Sequence, residues 1–179
     1  QGYVLTTPLQ LATMTARIAN GGKAVRPHLI VPDIPYPAED LGFKQEHLDI
    51  VQRAMNRVTN TERGTAYNYT YVEDPELRIA GKTGTAQVAR LSVNERLRML
   101  DDVRTLDYNR RNHALFVGYG PAKNPRYACA AIVEHGDSGG RSASPVVLDL
   151  LHAAIVGNSG GQPNMVLDRY NLIGRNDEV

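Results

Sequence analysis

Two short strings in this chain hold residue types suited to acyl transfer, and they imply different enzymes. "AGKTGTAQ", Ala80 to Gln87, places Lys82, Thr83 and Thr85 around Gly84. "GDSGG", Gly136 to Gly140, surrounds Ser138 with small residues, as around the nucleophile of chymotrypsin-like proteases. A nucleophile of that second kind needs a histidine base bonded to the serine and an aspartate that orients the histidine. The histidines are His28, His47, His113, His135 and His152, and only His135 is near Ser138 in sequence. None stands in the Ala-Ala-His-Cys setting such proteases use. The patterns on either side, a strand before and a long helix after, also differ from a double β-barrel. A protease built on Ser138 is therefore kept only as a rival.

The lysine string has its own false friend. Gly81-Lys82-Thr83 resembles the end of a phosphate-binding loop, but that loop needs a glycine five residues before Gly81, where Glu76 stands. It must also run from a strand into a helix, whereas the residues after Gly84 read as continuing strand. Read as a strand, the string makes chemical sense. Lys82 offers positive charge to a carboxylate. Thr83 and Thr85 share one face by strand alternation, so both address the same ligand. Gly84 lets an extended substrate backbone lie close. The backbone N–H of Thr85 then serves as one oxyanion-hole donor. No metal and no cofactor are expected.

These residues need a scaffold, and the patterning supplies one. "TTPLQLATMTARIANGG" reads as a helix capped by Thr7, opened by Pro8 and ended by Gly21-Gly22, with Leu11, Met14 and Ile18 on its core face. The following stretch carries Pro27, Pro32, Pro35 and Pro37 and is expected to be extended. A second helix is expected over about Gln45 to Val58, with Leu48, Val51, Met55 and Val58 as its stripe. Three strands are expected at Leu77 to Ala89, His113 to Pro121 and Arg126 to Gly136, the last two joined as an antiparallel hairpin. Between the first two strands, Arg90 to Asn112 reads as a solvated loop with some helix, or as a lid beside a groove. "SPVVLDLLHAAIVG" reads as a closing helix capped by Ser144, with Val147, Leu151, Ala154 and Ile155 buried. Residues 158–179 read as a polar tail.

Composition narrows the function further. The chain has 179 residues with 20 basic and 19 acidic side chains, a formal charge of +1. That balance favours neither nucleic acid nor an anionic membrane as partner. No run of about 18 apolar residues occurs, so no membrane-spanning helix is expected. Cys129 is the single cysteine, which excludes an intrachain disulfide, and its apolar setting reads as a buried small hydrophobe. The chain opens at Gln1 without a methionine, which reads as a fragment or a processed product.

The order of motifs goes beyond these readings. The Gln1-Gly2-Tyr3 start with its helix, "GTA" at Gly64 to Ala66, "IAGKTGTAQV", "HALFVGYGP" and "AAIVEHG" resemble the C-terminal part of the transpeptidase domain of class B penicillin-binding proteins. The likeness points to their cell-elongation branch and runs to about Gly157. It implies an α/β fold of the α+β type, an antiparallel sheet flanked by helices, as in the serine β-lactamases. It also implies a D,D-transpeptidase that cross-links peptidoglycan stem peptides through a serine acyl-enzyme and is trapped there by β-lactam antibiotics. Lys82 and Thr83 would contact the carboxylate of substrate or drug, beside Gly84, and Thr85 would hold the acyl carbonyl. The implied location is the periplasmic face of the inner membrane, with an N-terminal membrane anchor and a polytopic glycosyltransferase as partner.

One departure from the pattern matters. The family's nucleophile lies in Ser-x-x-Lys, followed by Ser-x-Asn. None of Ser92, Ser138, Ser142, Ser144 and Ser159 has a lysine three places on. Ser92-Val93-Asn94 matches the second motif as a string but follows the lysine strand instead of preceding it. The chain is thus expected to hold one third of the active site and to be inactive alone, the rest belonging to an upstream segment of the same protein. A non-catalytic binding or interaction module is the other rival.

Overall fold

The computed structural model describes residues 4–30, 36–89, 92–94, 97 and 106–157. Pro32, Pro35, most of the Arg90–Asn112 connection and the 158–179 tail lie outside the described residues. The elements run α1 (Pro8–Ala19), α2 (Gln45–Asn60), α3 (Tyr67–Thr70), β1 (Ala80–Ala86), β2 (His113–Gly120), β3 (Tyr127–Val133) and α4 (Ser144–Gly157). A 3-10 turn, Tyr108–Arg110, precedes β2, and a π-helical turn, Gly139–Ala143, leads into α4.

The strands form one antiparallel sheet in the order β1-β2-β3, and the hairpin expected from the short "AKN" connection is the β2–β3 pair. β2 is the central strand, and its side chains go alternately to two cores. Ala114 and Phe116 pack with Val147, Leu148 and Leu151 of α4. Val117 and Tyr119 pack with Ile18 and Ala19 of α1 and Met55 of α2. A strand covered on both faces carries an unbroken apolar run, which is why "ALFVGY" shows no alternation of its own. The first and last helices therefore lie on opposite faces. Burying Phe116 completely contributes about 1.5–3 kcal/mol.

Local chemistry sets the helix ends. The Thr7 hydroxyl accepts from the Gln10 N–H at 3.2 Å while Gln10 Oε1 accepts from the Thr7 N–H at 2.8 Å, a reciprocal capping box. Pro8 then opens α1 at no hydrogen-bond cost. Two expected core residues, Met14 and Val51, are 45% and 40% exposed. Both line an open groove between α1 and α2, together with Phe43, so the helices meet too loosely to cover them. Thr15 is buried in their stead, its hydroxyl satisfied by donation to the Leu11 carbonyl at 2.8 Å.

α2 runs two residues past Val58, and the extension has a purpose in the fold. Thr59 is fully buried and donates its hydroxyl to the Ile79 carbonyl at 2.7 Å. Asn60 Nδ2 donates to the same oxygen at 2.8 Å. Ile79 immediately precedes β1, so the end of α2 fixes where the lysine strand begins.

Candidate active site

β1 is an edge strand among the described residues, paired only with β2. An edge strand leaves the N–H and C=O groups of alternate residues unpaired along its free side. Thr83 and Thr85, two residues apart, present their backbone the same way. Lys82 lies opposite Val117 and Thr83 opposite Phe116, so their side chains leave opposite faces of the sheet. The lysine stem nevertheless returns around the free edge. Its Nζ donates to the Thr83 carbonyl at 2.8 Å and to Thr83 Oγ1 at 3.3 Å. A cation, a hydroxyl and an open strand edge thereby converge on Thr83.

A second threonine joins them. Thr65 Oγ1 is 3.1 Å from Thr83 Oγ1. Thr65 stands in the turn after α2, which is closed by Gly64 N–H on the Thr61 carbonyl at 2.7 Å and Ala66 N–H on the Val58 carbonyl at 3.1 Å. Ala66 is fully buried in the α4-side core and anchors the turn.

The "GDSGG" stretch supports this cluster from behind. A Cβ on Gly139 would stand 2.4 Å from the Leu115 carbonyl oxygen and 2.7 Å from that of Gly84. One on Gly140 would stand 2.5 Å from the Thr65 carbonyl oxygen. No side chain fits at those distances, so the two glycines let the π-helical turn rest on the backbone of β1, β2 and the Thr65 turn. Insertions of this kind recur beside functional sites.

Ser138 has a structural post here. Its hydroxyl accepts the Arg141 N–H at 3.2 Å and so caps the π-helical turn. Ser144, the cap expected from sequence, lies instead inside the helical path with φ −68° and ψ −36°, buried, its hydroxyl donating to the Gly140 carbonyl. The π-helical turn packed against the sheet runs straight into α4, so the cap falls on Ser138, six residues before Ser144, while α4 itself begins at Ser144.

The only histidine near Ser138 in sequence is engaged elsewhere. His135 donates its backbone N–H to His113 Nδ1 at 2.9 Å, and its own Nδ1 donates to the Arg111 carbonyl at 3.1 Å. Its ring packs on Tyr108 and edge-on to His113. Among the described residues no histidine hydrogen-bonds Ser138, so the protease rival lacks its base. Cys129 is part-buried against the α4-side core, where desolvation pushes its thiol pKa up, the opposite of what a thiolate nucleophile needs.

The structure thus brings Lys82 and Thr83 together directly, with Gly84 next to Gly139 and Thr85 further along the same edge. Sequence reasoning gave Thr65 no role, although "GTA", Gly64 to Ala66, was among the strings that carry the family likeness. It also missed the contact made by Gly139 and Gly140, for which the paired glycines were the available signal.

This geometry has a family. Residues 1–152 match the penicillin binding protein transpeptidase domain, and the chain belongs to that family. Among its relatives, the peptidoglycan D,D-transpeptidase MrdA of Salmonella typhimurium is 30% identical over 162 residues, covering 84% of this chain and 25% of that protein. MrdA of Acinetobacter baumannii is 35% identical over 151 residues, covering 80% and 21%. Among solved structures, penicillin-binding protein 2 of Pseudomonas aeruginosa in complex with WCK 5153 is 36% identical, with a TM-score of 0.63 over 87% of this chain and 32% of that one. Penicillin-binding protein 2 of Helicobacter pylori in complex with MreC is 32% identical, with a TM-score of 0.65, covering 83% and 24%. The chain therefore spans about a quarter of the length of the first of these relatives.

Proposed function

We propose that this chain is the substrate-binding part of a peptidoglycan D,D-transpeptidase. The observation that carries the reading is the convergence of Lys82 Nζ on Thr83 at the free edge of β1. A serine from an upstream segment attacks the penultimate D-Ala carbonyl of a stem peptide and expels the terminal D-Ala. An amine of a neighbouring stem then takes the acyl group, which frees the serine and completes the cross-link. Lys82 and Thr83 hold the carboxylate of the D-Ala terminus, or of a β-lactam. Gly84 admits the extended peptide, and the Thr85 N–H holds the developing oxyanion. The absence of Ser-x-x-Lys from the sequence and the quarter-length match to MrdA support a nucleophile supplied from outside residues 1–179.

The likeness to proteins of the MrdA type further supports a place at the periplasmic face of the inner membrane. No helix among the described residues is long and apolar enough to cross a membrane. The Helicobacter complex makes an MreC-type protein a candidate partner, and the family likeness adds a polytopic glycosyltransferase as a second.

A fluorescent penicillin tests the reading. The full-length protein should label covalently and the 179-residue chain alone should not. Lys82→Ala in the full-length protein should slow acylation by about 10-fold or more, the loss expected when a charged hydrogen bond worth about 1.5–3 kcal/mol goes. Labelling of the isolated chain, or wild-type rates in the alanine variant, would remove the roles assigned here.

A further inference from the structure

The hydroxyl of Thr83 has one proton and two lone pairs to dispose of. Lys82 Nζ, which can only donate, takes one lone pair at 3.3 Å. Thr65 Oγ1 lies 3.1 Å away, and either hydroxyl of that pair can be the donor. The choice has consequences. If Thr83 gives its proton to Thr65, it offers an arriving carboxylate only lone pairs, which repel it. If Thr65 donates, both lone pairs of Thr83 are filled, and its proton has only the open side of the strand left to point to. A carboxylate at that edge selects the second arrangement, because it needs a donor.

We propose that Thr65 is a positioning residue for carboxylate recognition. It donates to Thr83 and thereby commits the Thr83 hydroxyl as a donor to the anion. Donation from the lysine ammonium into the same oxygen polarises the Thr83 O–H further in the same sense. The turn that carries Thr65 is built to hold this geometry. Its carbonyl is backed by Gly140, its neighbour Ala66 is fully buried, and its N-terminal side is closed on Thr61. The partners are 18 residues apart in sequence, so the pairing is made by the fold alone. Thr65 touches no reacting atom and acts only through Thr83.

The inference rests on the transpeptidase reading, and the test separates the two. In the full-length protein, acylation rate constants are measured with a penicillin and with its methyl ester. Thr65→Val keeps the branched shape and removes the hydroxyl. It should slow acylation by the free acid about 5- to 10-fold, the effect of losing one such hydrogen bond, and leave the ester rate unchanged. Thr65→Ser should restore the acid rate. On a Thr83→Val background, Thr65→Val should have no further effect, since the oxygen it serves is gone. An equal loss on acid and ester, additive losses in the double variant, or no loss at all would overturn the proposal while leaving the enzyme a transpeptidase. A wild-type protein that neither compound acylates would overturn the parent reading, and this one with it.

Discussion

At the scale of single residues, Ser138 shows how a familiar string acquires a different meaning from its surroundings. Its oxygen accepts a backbone N–H, which is what serine does at the start of a helical segment. Replacing it with alanine should cost about 1 kcal/mol of stability, read from chemical denaturation, while penicillin labelling of the full-length protein persists. Asparagine or aspartate should recover most of the loss, because both cap well. A complete loss of activity in the alanine variant, with stability intact, would return Ser138 to the catalytic account. The meeting of Lys82 with Thr83 was legible at this scale because it is local: the two residues are neighbours on one strand. Thr65 was not, because nothing in "GTA" tells that its hydroxyl will meet Thr83.

Among the elements, strands and helix ends were legible where the deciding forces are local. Thr7, Pro8 and Gln10 cap one another within a single turn, and the β-rich runs on both sides of "AKN" pair as a hairpin. Periodicity misled where a distant group decides. Val51 fits the α2 stripe yet faces an open groove, while Thr59 is buried because the Ile79 carbonyl awaits it. Ser144-Pro145 has the look of a helix start, yet the π-helical turn before it is held against the sheet by Gly139. Gly139→Ala should therefore act on the site as well as on stability. The added methyl meets backbone oxygens at 2.4 and 2.7 Å, so either the turn lifts or β1 shifts at Gly84. Overpacking of this kind costs about 1–3 kcal/mol. Penicillin acylation of the full-length protein should fall by more than the stability loss alone accounts for. Gly157→Ala, with nothing within 4 Å of the new methyl among the described residues, serves as the matched control and should leave both quantities near wild type.

For the whole molecule, the two-faced sheet explains how this stretch of chain positions the lysine strand without an intrachain disulfide. Both faces of β2 are sealed, by α4 on one side and by α1 with α2 on the other, and Tyr119 closes the second side at 2% exposure. Burial there raises the pKa of its phenol to about 12, because the anion loses hydration that the apolar neighbours do not replace. In the unfolded chain the same group ionises near pH 10. Below pH 10 both states keep the proton, and the contribution to stability is constant. Between pH 10 and 12 the unfolded state gives up its proton while the folded state holds it, so stability falls by about 1.4 kcal/mol per pH unit. Ultraviolet titration of the full-length protein should resolve a tyrosine that ionises near pH 12, and Tyr119→Phe should remove that step. The same variant should flatten the fall in urea stability over this window. A Tyr119 that titrates near pH 10, the ordinary value for a phenol, would mean that the α1 side of the sheet is open to water.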